Sequence, residues 1–172
     1  MTAVHLSPWS ADWPRIFASV RDELLAASAP AEFVIEHIGS TAVHGLVAKP
    51  VIDVLLGARS LAAIEARIAA LGAAGFEYVS KYEHELPLRR YFVKQPADGL
   101  RVHVHGVLEG ADLWQDHLAF RDALREDAAL CDAYQALKLR LAREHAEDKA
   151  AYTDAKAPFI QSVLAARRAS SA

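Results

Sequence analysis

Cysteine is nearly missing from this sequence. Its 172 residues hold one, Cys131, which excludes an intrachain disulfide and a four-cysteine zinc site. Cys131 lies in an Ala/Leu-rich helical run, where a small buried filler is expected rather than a reactive thiol. Long apolar runs are missing too. No stretch of about 18 apolar residues is free of charge, so no spanning helix and no membrane partner is predicted. There is no cationic surplus: 19 Lys/Arg stand against 22 Asp/Glu, a formal net charge of −3. Bulk binding of DNA or RNA, which needs a basic face, is therefore not expected. Met1-Thr2-Ala3-Val4-His5 has no basic region followed by an apolar run, so no signal peptide is predicted and the expected location is the cytoplasm. No Gly-x-x-x-x-Gly-Lys-Ser/Thr phosphate loop occurs, and no internal repeat or low-complexity block stands out.

What is present is ordinary globular material, 53% hydrophobic and 24% charged, which excludes a mainly disordered chain. The length predicts one domain over residues 1–172. Charge is uneven: residues 1–86 carry 6 Lys/Arg against 10 Asp/Glu, and residues 87–172 carry 13 against 12. An anion site in such a chain depends on locally placed cations rather than on the field of the whole protein.

Ser10 can cap a helix over about 11–27, in which Ile16, Val20 and Leu24 recur at i+4. Strands are predicted over 32–38, 51–56, 89–94 and 100–107, with a short one near 76–79. Pro96-Ala97-Asp98-Gly99 is a hairpin signal between two of them. The run Val51–Leu56 is apolar except for Asp53, the pattern of a strand buried on both faces. Four such strands are expected in one mixed sheet with Val51–Leu56 in its interior. Ser60 can cap a helix with Leu61, Ile64, Ile68 and Leu71 on one stripe. From Asp112 onward the chain reads as helix: one around Leu113–Leu124, one through Leu130, Tyr134, Leu137 and Leu141, and one from Thr153 or Asp154 with Pro158 in its early turns. Arg167 to Ala172 reads as a fraying tail. The expected class is α/β (α+β), a mixed sheet flanked by helices with a helical C-terminal third.

The segment His37 to Val54 carries the chemistry. A strand ends at Ile38, Gly39 allows a tight turn and close approach of a ligand, and the hydroxyls of Ser40 and Thr41 follow. Lys49, held extended by Pro50, can pair with a phosphate. Asp53 interrupts an apolar strand, and a carboxylate buried there needs a metal or cations beside it. Together these residues point to a phosphate ester with a divalent cation, Mg2+ or Mn2+, on Asp53. His103 and His105, at i and i+2, share one face of a strand and suit a polar cleft wall or a metal-assisted site. Arg90, Phe92 and Lys94 share a face of the neighbouring strand, with Arg89 and Tyr91 on the other. Arg90 and Lys94 are expected to meet His103 and His105 across the hairpin and neutralise phosphate oxygens. Arg121 and Arg125, one helical turn apart, read as a solvated face.

The run Gly39-Ser40-Thr41-Ala42-Val43, then Gly45-Leu46, Ala48-Lys49-Pro50 and Ile52-Asp53, resembles the signature of the GrpB family of the nucleotidyltransferase superfamily. The resemblance continues through Arg89–Lys94, His103-Val104-His105, Phe120–Arg125, Tyr134, Leu137, Lys138, Tyr152, Lys156 and Phe159-Ile160, nearly the whole chain in order. His44 stands where that family usually has proline. The resemblance implies a nucleotidyltransferase-like mixed sheet, a Gly39–Ser40 turn that binds a nucleotide, and Asp53 as a strand carboxylate for divalent metal. The superfamily's second acid, two residues away on the same strand face, is absent: Val51 and Leu55 occupy those places. Two functions follow as expectations. One is metal-dependent transfer of a nucleotidyl group to a small acceptor, with Asp53, His103 and His105 catalytic. The other is a non-catalytic module that binds a nucleotide or anionic metabolite.

Overall fold

The computed structural model describes residues 4–170; Met1–Ala3 and the last two residues of the expected tail lie outside the described residues. The first helix, α1 (Asp12–Ser28), starts where the Asp12 amide donates to Ser10 Oγ at 3.2 Å and buries Trp13, Val20 and Leu24. Five strands follow: β1 (Val34–Ile38), β2 (Val51–Ala58), β3 (Glu77–Tyr78), β4 (Arg89–Lys94) and β5 (Arg101–Leu108). They form one sheet in the order β1-β2-β5-β4-β3. Only β2 and β5 run parallel, so the sheet is mixed, and β2 is paired on both edges as its apolar run requires.

Two helices, α2 (Leu61–Glu65) and α3 (Ile68–Ala73), occupy the stretch where one was expected. The Arg67 amide tightens onto the Ile64 carbonyl at 2.9 Å, an i to i−3 bond, and interrupts the α-helical ladder. Ile64 and Leu71 stay buried in one core, so the expected stripe survives the break. Ser60 caps α2 through the Ala63 amide, as its position predicts.

The C-terminal part is helical: α4 (Asp112–Glu126), α5 (Ala128–Glu144), α6 (Lys149–Asp154) and α7 (Ala157–Ser170). The expected last helix is α7, which starts at Ala157 rather than at Thr153 or Asp154, and α6 is a further short helix before it. Asp148 caps α6 by accepting from the Ala151 amide, and Pro158 falls in the first turn of α7, where a missing N–H breaks no bond. No described helix is long and apolar enough to cross a membrane.

Alternation sorts the sheet into two faces. Ile52, Val54, Leu56, Phe92, Val102 and Val104 point toward α1, α2 and α3 and form the main core. On the other face, Ile38, Leu55 and Val107 pack under Trp114 of α4. Gly57 lets α4 sit this low, because a Cβ there would lie 2.5 Å from Trp114 Cζ3. A third cluster ties the segment Val43–Leu46 to Leu124 and Tyr134 on α4 and α5. The helices leave the part of this face around Asp53, His103 and Tyr91 uncovered, and that gap is the cleft described next.

Candidate functional site

Register brings the sequence-predicted site residues of β2 and β5 together. Asp53 lies opposite His103, and Leu55 opposite His105, on adjacent parallel strands. The carboxylate Oδ1 of Asp53 is 3.5 Å from His103 Nδ1 and 3.6 Å from His105 Nε2. Burial alone would raise the Asp53 carboxyl, but the two imidazoles outweigh it and hold it well below the usual carboxylate range. Gly39, at φ 72°, lies directly against this carboxylate: a Cβ there would meet Asp53 Oδ2 at 2.6 Å. So the glycine expected to admit a ligand also admits Asp53.

Across the hairpin the outcome differs from expectation. Tyr91 is in register with His105 and Val93 with His103, so the residues sharing the histidine face are Arg89, Tyr91 and Val93. Arg90 and Lys94 lie on the opposite face with Phe92, which is fully buried in the main core. There Arg90 pairs with Glu65 at 2.6 Å, and Lys94 pairs with Glu23 and covers the Phe76 ring. The expectation that Arg90 and Lys94 meet the histidines is therefore corrected: the face carrying a core aromatic is the covered one. Arg89 takes their place. Its Nη1 is 3.3 Å from His105 Nδ1, and its guanidinium sits 4.9 Å from the Tyr91 ring centre. Because arginine only donates, His105 Nδ1 is the accepting nitrogen there, and the ring proton belongs on Nε2, toward Asp53.

The turn after β1 is a 3-10 turn over Ser40–Ala42. Ser40 lines the cleft. Thr41 borders it too, but its hydroxyl is engaged by His37 Nε2 at 3.0 Å, and the residue is 1% exposed. His37 itself stacks on Phe17 and is neutral: burial first, then Arg125 and Arg121, lowers its pKa to about 4. Of Arg121 and Arg125, expected as a solvated face, Arg125 is exposed but Arg121 is largely covered, and both are tied to the turn. Arg121 pairs with Glu36 at 2.6 Å, and Arg125 donates twice to the Ala42 carbonyl, at 3.0 and 2.8 Å. They fasten the turn to α4.

Among the residues that complete the cleft, sequence patterning assigns a role to Lys49 alone. Lys138 on α5 is 2% exposed, and its Nζ donates to Ser40 Oγ at 2.7 Å and to the Val47 carbonyl. Tyr152 on α6 is buried, and its hydroxyl has no hydrogen-bond partner among the described residues. Lys49 Nζ and Lys156 Nζ each lie 4.5 Å from the centre of the Tyr152 ring. None of these three lysines forms an ion pair with a described carboxylate. Burial, reinforced by Lys156 and Lys49, lowers Lys138 to about 7; burial and Lys49 lower Lys156 to about 8. Lys49 is lowered as well, by burial and by Lys149. The whole forms an open cleft of about 830 Å³, with Lys138, Lys149, Lys156 and Asp154 on the helical side, Asp53, the two histidines, Arg89 and Tyr91 on the sheet side, and Lys49 and Glu85 in the connecting segments.

The donor set fits a magnesium site poorly. Magnesium takes oxygen ligands in octahedral geometry, and Asp53 is the one carboxylate at the centre, already contacted by two imidazoles. Val51 and Leu55, two residues either side on the same strand face, add no oxygen from their side chains. Among the described residues no group of three His, Cys, Asp or Glu is arranged to hold a metal ion. Cys131, half-buried against the third cluster with its thiol pushed up by burial, belongs to packing.

Comparison with known proteins places these features. The sequence model of the family described as GrpB protein matches residues 3–166. A UPF0157 protein of Streptomyces coelicolor is 36% identical over 161 residues, covering 93% of this chain and 82% of the relative. The crystal structure of conserved protein GrpB from Enterococcus faecalis superposes with a TM-score of 0.82 at 31% identity, over 92% of this chain and 94% of that one. The Cid1 poly(U) polymerase, solved with Mg 3'-dATP bound, superposes with a TM-score of 0.56 at 12% identity, over 79% of this chain and 43% of the polymerase. At that identity the second likeness concerns the fold alone: this chain has a mixed sheet flanked by helices similar to the nucleotidyltransferase fold.

Proposed function

The chain belongs to the GrpB family, and from the charge layout of its cleft we propose that it binds a phosphate-bearing small molecule, with nucleotides the leading class. One observation carries the reading: Lys49, Lys138 and Lys156 converge on the cleft without a carboxylate partner. Ammonium groups withdrawn from water without a counter-ion are costly, and an anion seated among them relieves that cost. Phosphate oxygens suit the place, because each ammonium keeps donors to offer and Ser40 adds a hydroxyl. The likeness to a nucleotide-binding polymerase fold adds weight to a nucleotide over other anions.

A second reading, transfer of a nucleotidyl group to a small acceptor, draws on the register pairing of Asp53 with His103 inside that fold. Asp53 and His105 then orient the polar sheet side of the cleft, and His103 is the imidazole more open to it, 27% exposed against 15% for His105.

Calorimetric titration with a panel of nucleoside mono-, di- and triphosphates, together with the parent nucleosides, tests the proposal. Binding should require phosphate, and Ser40→Ala should weaken it by about 1 kcal/mol or somewhat more, as for a lost hydrogen bond to a charged group. Equal binding of nucleosides and nucleotides contradicts the lysine cleft as the anion seat. Product formation from a bound triphosphate and a small acceptor favours the transfer reading; binding without turnover favours the module.

A further inference from the structure

The cationic and acidic halves of the cleft are unequal. A fold that handles nucleotides with paired metal ions needs several carboxylates to hold those ions against the phosphates. This chain supplies Asp53 alone at the centre of the sheet side, and both neighbouring imidazoles already face its Oδ1, at 3.5 and 3.6 Å. The histidines stand where further oxygen ligands would be needed, and imidazole is a poor ligand for magnesium. On the other side, three lysines without carboxylate partners bring up to three positive charges to the same opening.

We propose that the cleft takes a di- or triphosphate chain free of divalent metal, with the ammonium groups of Lys49, Lys138 and Lys156 supplying the counter-charge that metal ions supply elsewhere. The proposal rests on the phosphate-binding reading above and adds the state of the ligand. Two phosphates or more suit the site because its ammonium groups stand apart, Lys49 and Lys156 beside the Tyr152 ring and Lys138 on Ser40, and a chain of phosphates offers oxygens to each. Lys49 Nζ and Lys156 Nζ each lie 4.5 Å from the centre of the buried Tyr152 ring, which holds both beside the cleft without a ligand. That arrangement is pre-organised and needs no ion to assemble it.

Two consequences distinguish this from a metal site. Magnesium competes with the lysines for the same phosphate oxygens and removes two units of the ligand's negative charge, so it weakens binding. Asp53 is then a like charge near the ligand rather than its metal holder, so Asp53→Asn strengthens binding instead of weakening it.

The test titrates the full chain with ATP and with inorganic tripolyphosphate, once in EDTA and once in excess magnesium. Binding in EDTA that weakens about tenfold in magnesium supports the proposal, as does Asp53→Asn binding tripolyphosphate roughly three- to tenfold more tightly in EDTA. Binding that requires magnesium or tightens with it overturns the proposal and leaves the phosphate-binding reading standing. Weaker binding by an Asp53→Asn protein that retains the parent circular dichroism does the same. The parent protein's response to magnesium decides the matter even where the variant fails to fold. Failure of both compounds to bind, with and without metal, overturns the proposal, and a nucleotide panel that is negative as well overturns the phosphate-binding reading with it.

Discussion

Replacing Lys49 and Lys156 together by methionine is expected to lower the affinity for a nucleoside triphosphate by about 100-fold or more. Charge-assisted hydrogen bonds contribute roughly 1.5–3 kcal/mol each, and this change removes two of the groups able to make them. Methionine keeps length and apolar bulk beside Tyr152, so the cleft wall survives. The same substitution should make the free protein more stable. Lys156 is lowered from the ordinary lysine value of 10.5 to about 8, a burden on the order of 3 kcal/mol. Against this relief stands the attraction of each ammonium for the Tyr152 ring, about 0.5–1 kcal/mol apiece, which methionine does not supply. The net gain of about 1–2 kcal/mol corresponds to a melting temperature roughly 2–8 °C higher at this size. Calorimetry and thermal unfolding read the two effects separately. A double variant that binds like the parent, or one that melts well below it, contradicts the assignment of these lysines to a ligand rather than to the fold.

Binding should also fall steeply with pH, by about 100-fold or more between pH 7 and 9.5. Lys138 and Lys156 lose their protons near 7 and near 8 in the free protein. A bound polyanion favours their charged forms and raises both values. The complex therefore holds more protons than the free components, and affinity declines as pH rises through the free-protein values. The groups that face Lys138 are Lys156, Cys131, Lys49 and Asp53, and those that face Lys156 are Lys49 and Asp53. Asp53 raises both lysines, yet burial and the neighbouring lysines outweigh it. Stability of the free protein moves the other way. Between about pH 7 and the ordinary lysine value, the unfolded chain holds more of these protons than the folded one, so this contribution to stability grows with pH. Titration calorimetry in buffers of different ionisation enthalpy measures the proton uptake. Affinity flat from pH 7 to 9.5, with no proton uptake, contradicts a cleft whose cations are these lysines.

The sheet is legible in the sequence because its signals are local. The apolar run of β2, the Asp-Gly turn before β5 and the alternation in β4 each define a strand within a few residues. Asp53 is legible for a related reason, since a charge inside a doubly buried strand stands out against its neighbours. Arg90 and Lys94 fall on the side opposite to the one expected because alternation yields two faces without saying which is covered. Phe92 holds that information: a large aromatic between them marks the core face, which leaves Arg89 and Tyr91 for the cleft. Lys138 and Lys156 lie on or beside helices far along the chain from Ser40 and Lys49, where a lysine reads as solvated unless its partner is known. Only the packing of α5 against the turn after β1, through Lys138 and Ser40, reveals that this lysine is buried. Tyr152 is hidden likewise, because it lies in α6, just before the point where a helix from Thr153 onward would start.

A crystal structure of the protein grown with a nucleoside triphosphate in EDTA would show whether the lysines around Tyr152 seat an anion. Phosphate oxygens are expected within hydrogen-bond distance, about 2.7–3.2 Å, of Lys49, Lys138 and Lys156, beside Ser40. A nucleotide bound elsewhere, or bound in the cleft with its phosphates turned toward a metal on Asp53 and away from those lysines, would contradict that expectation.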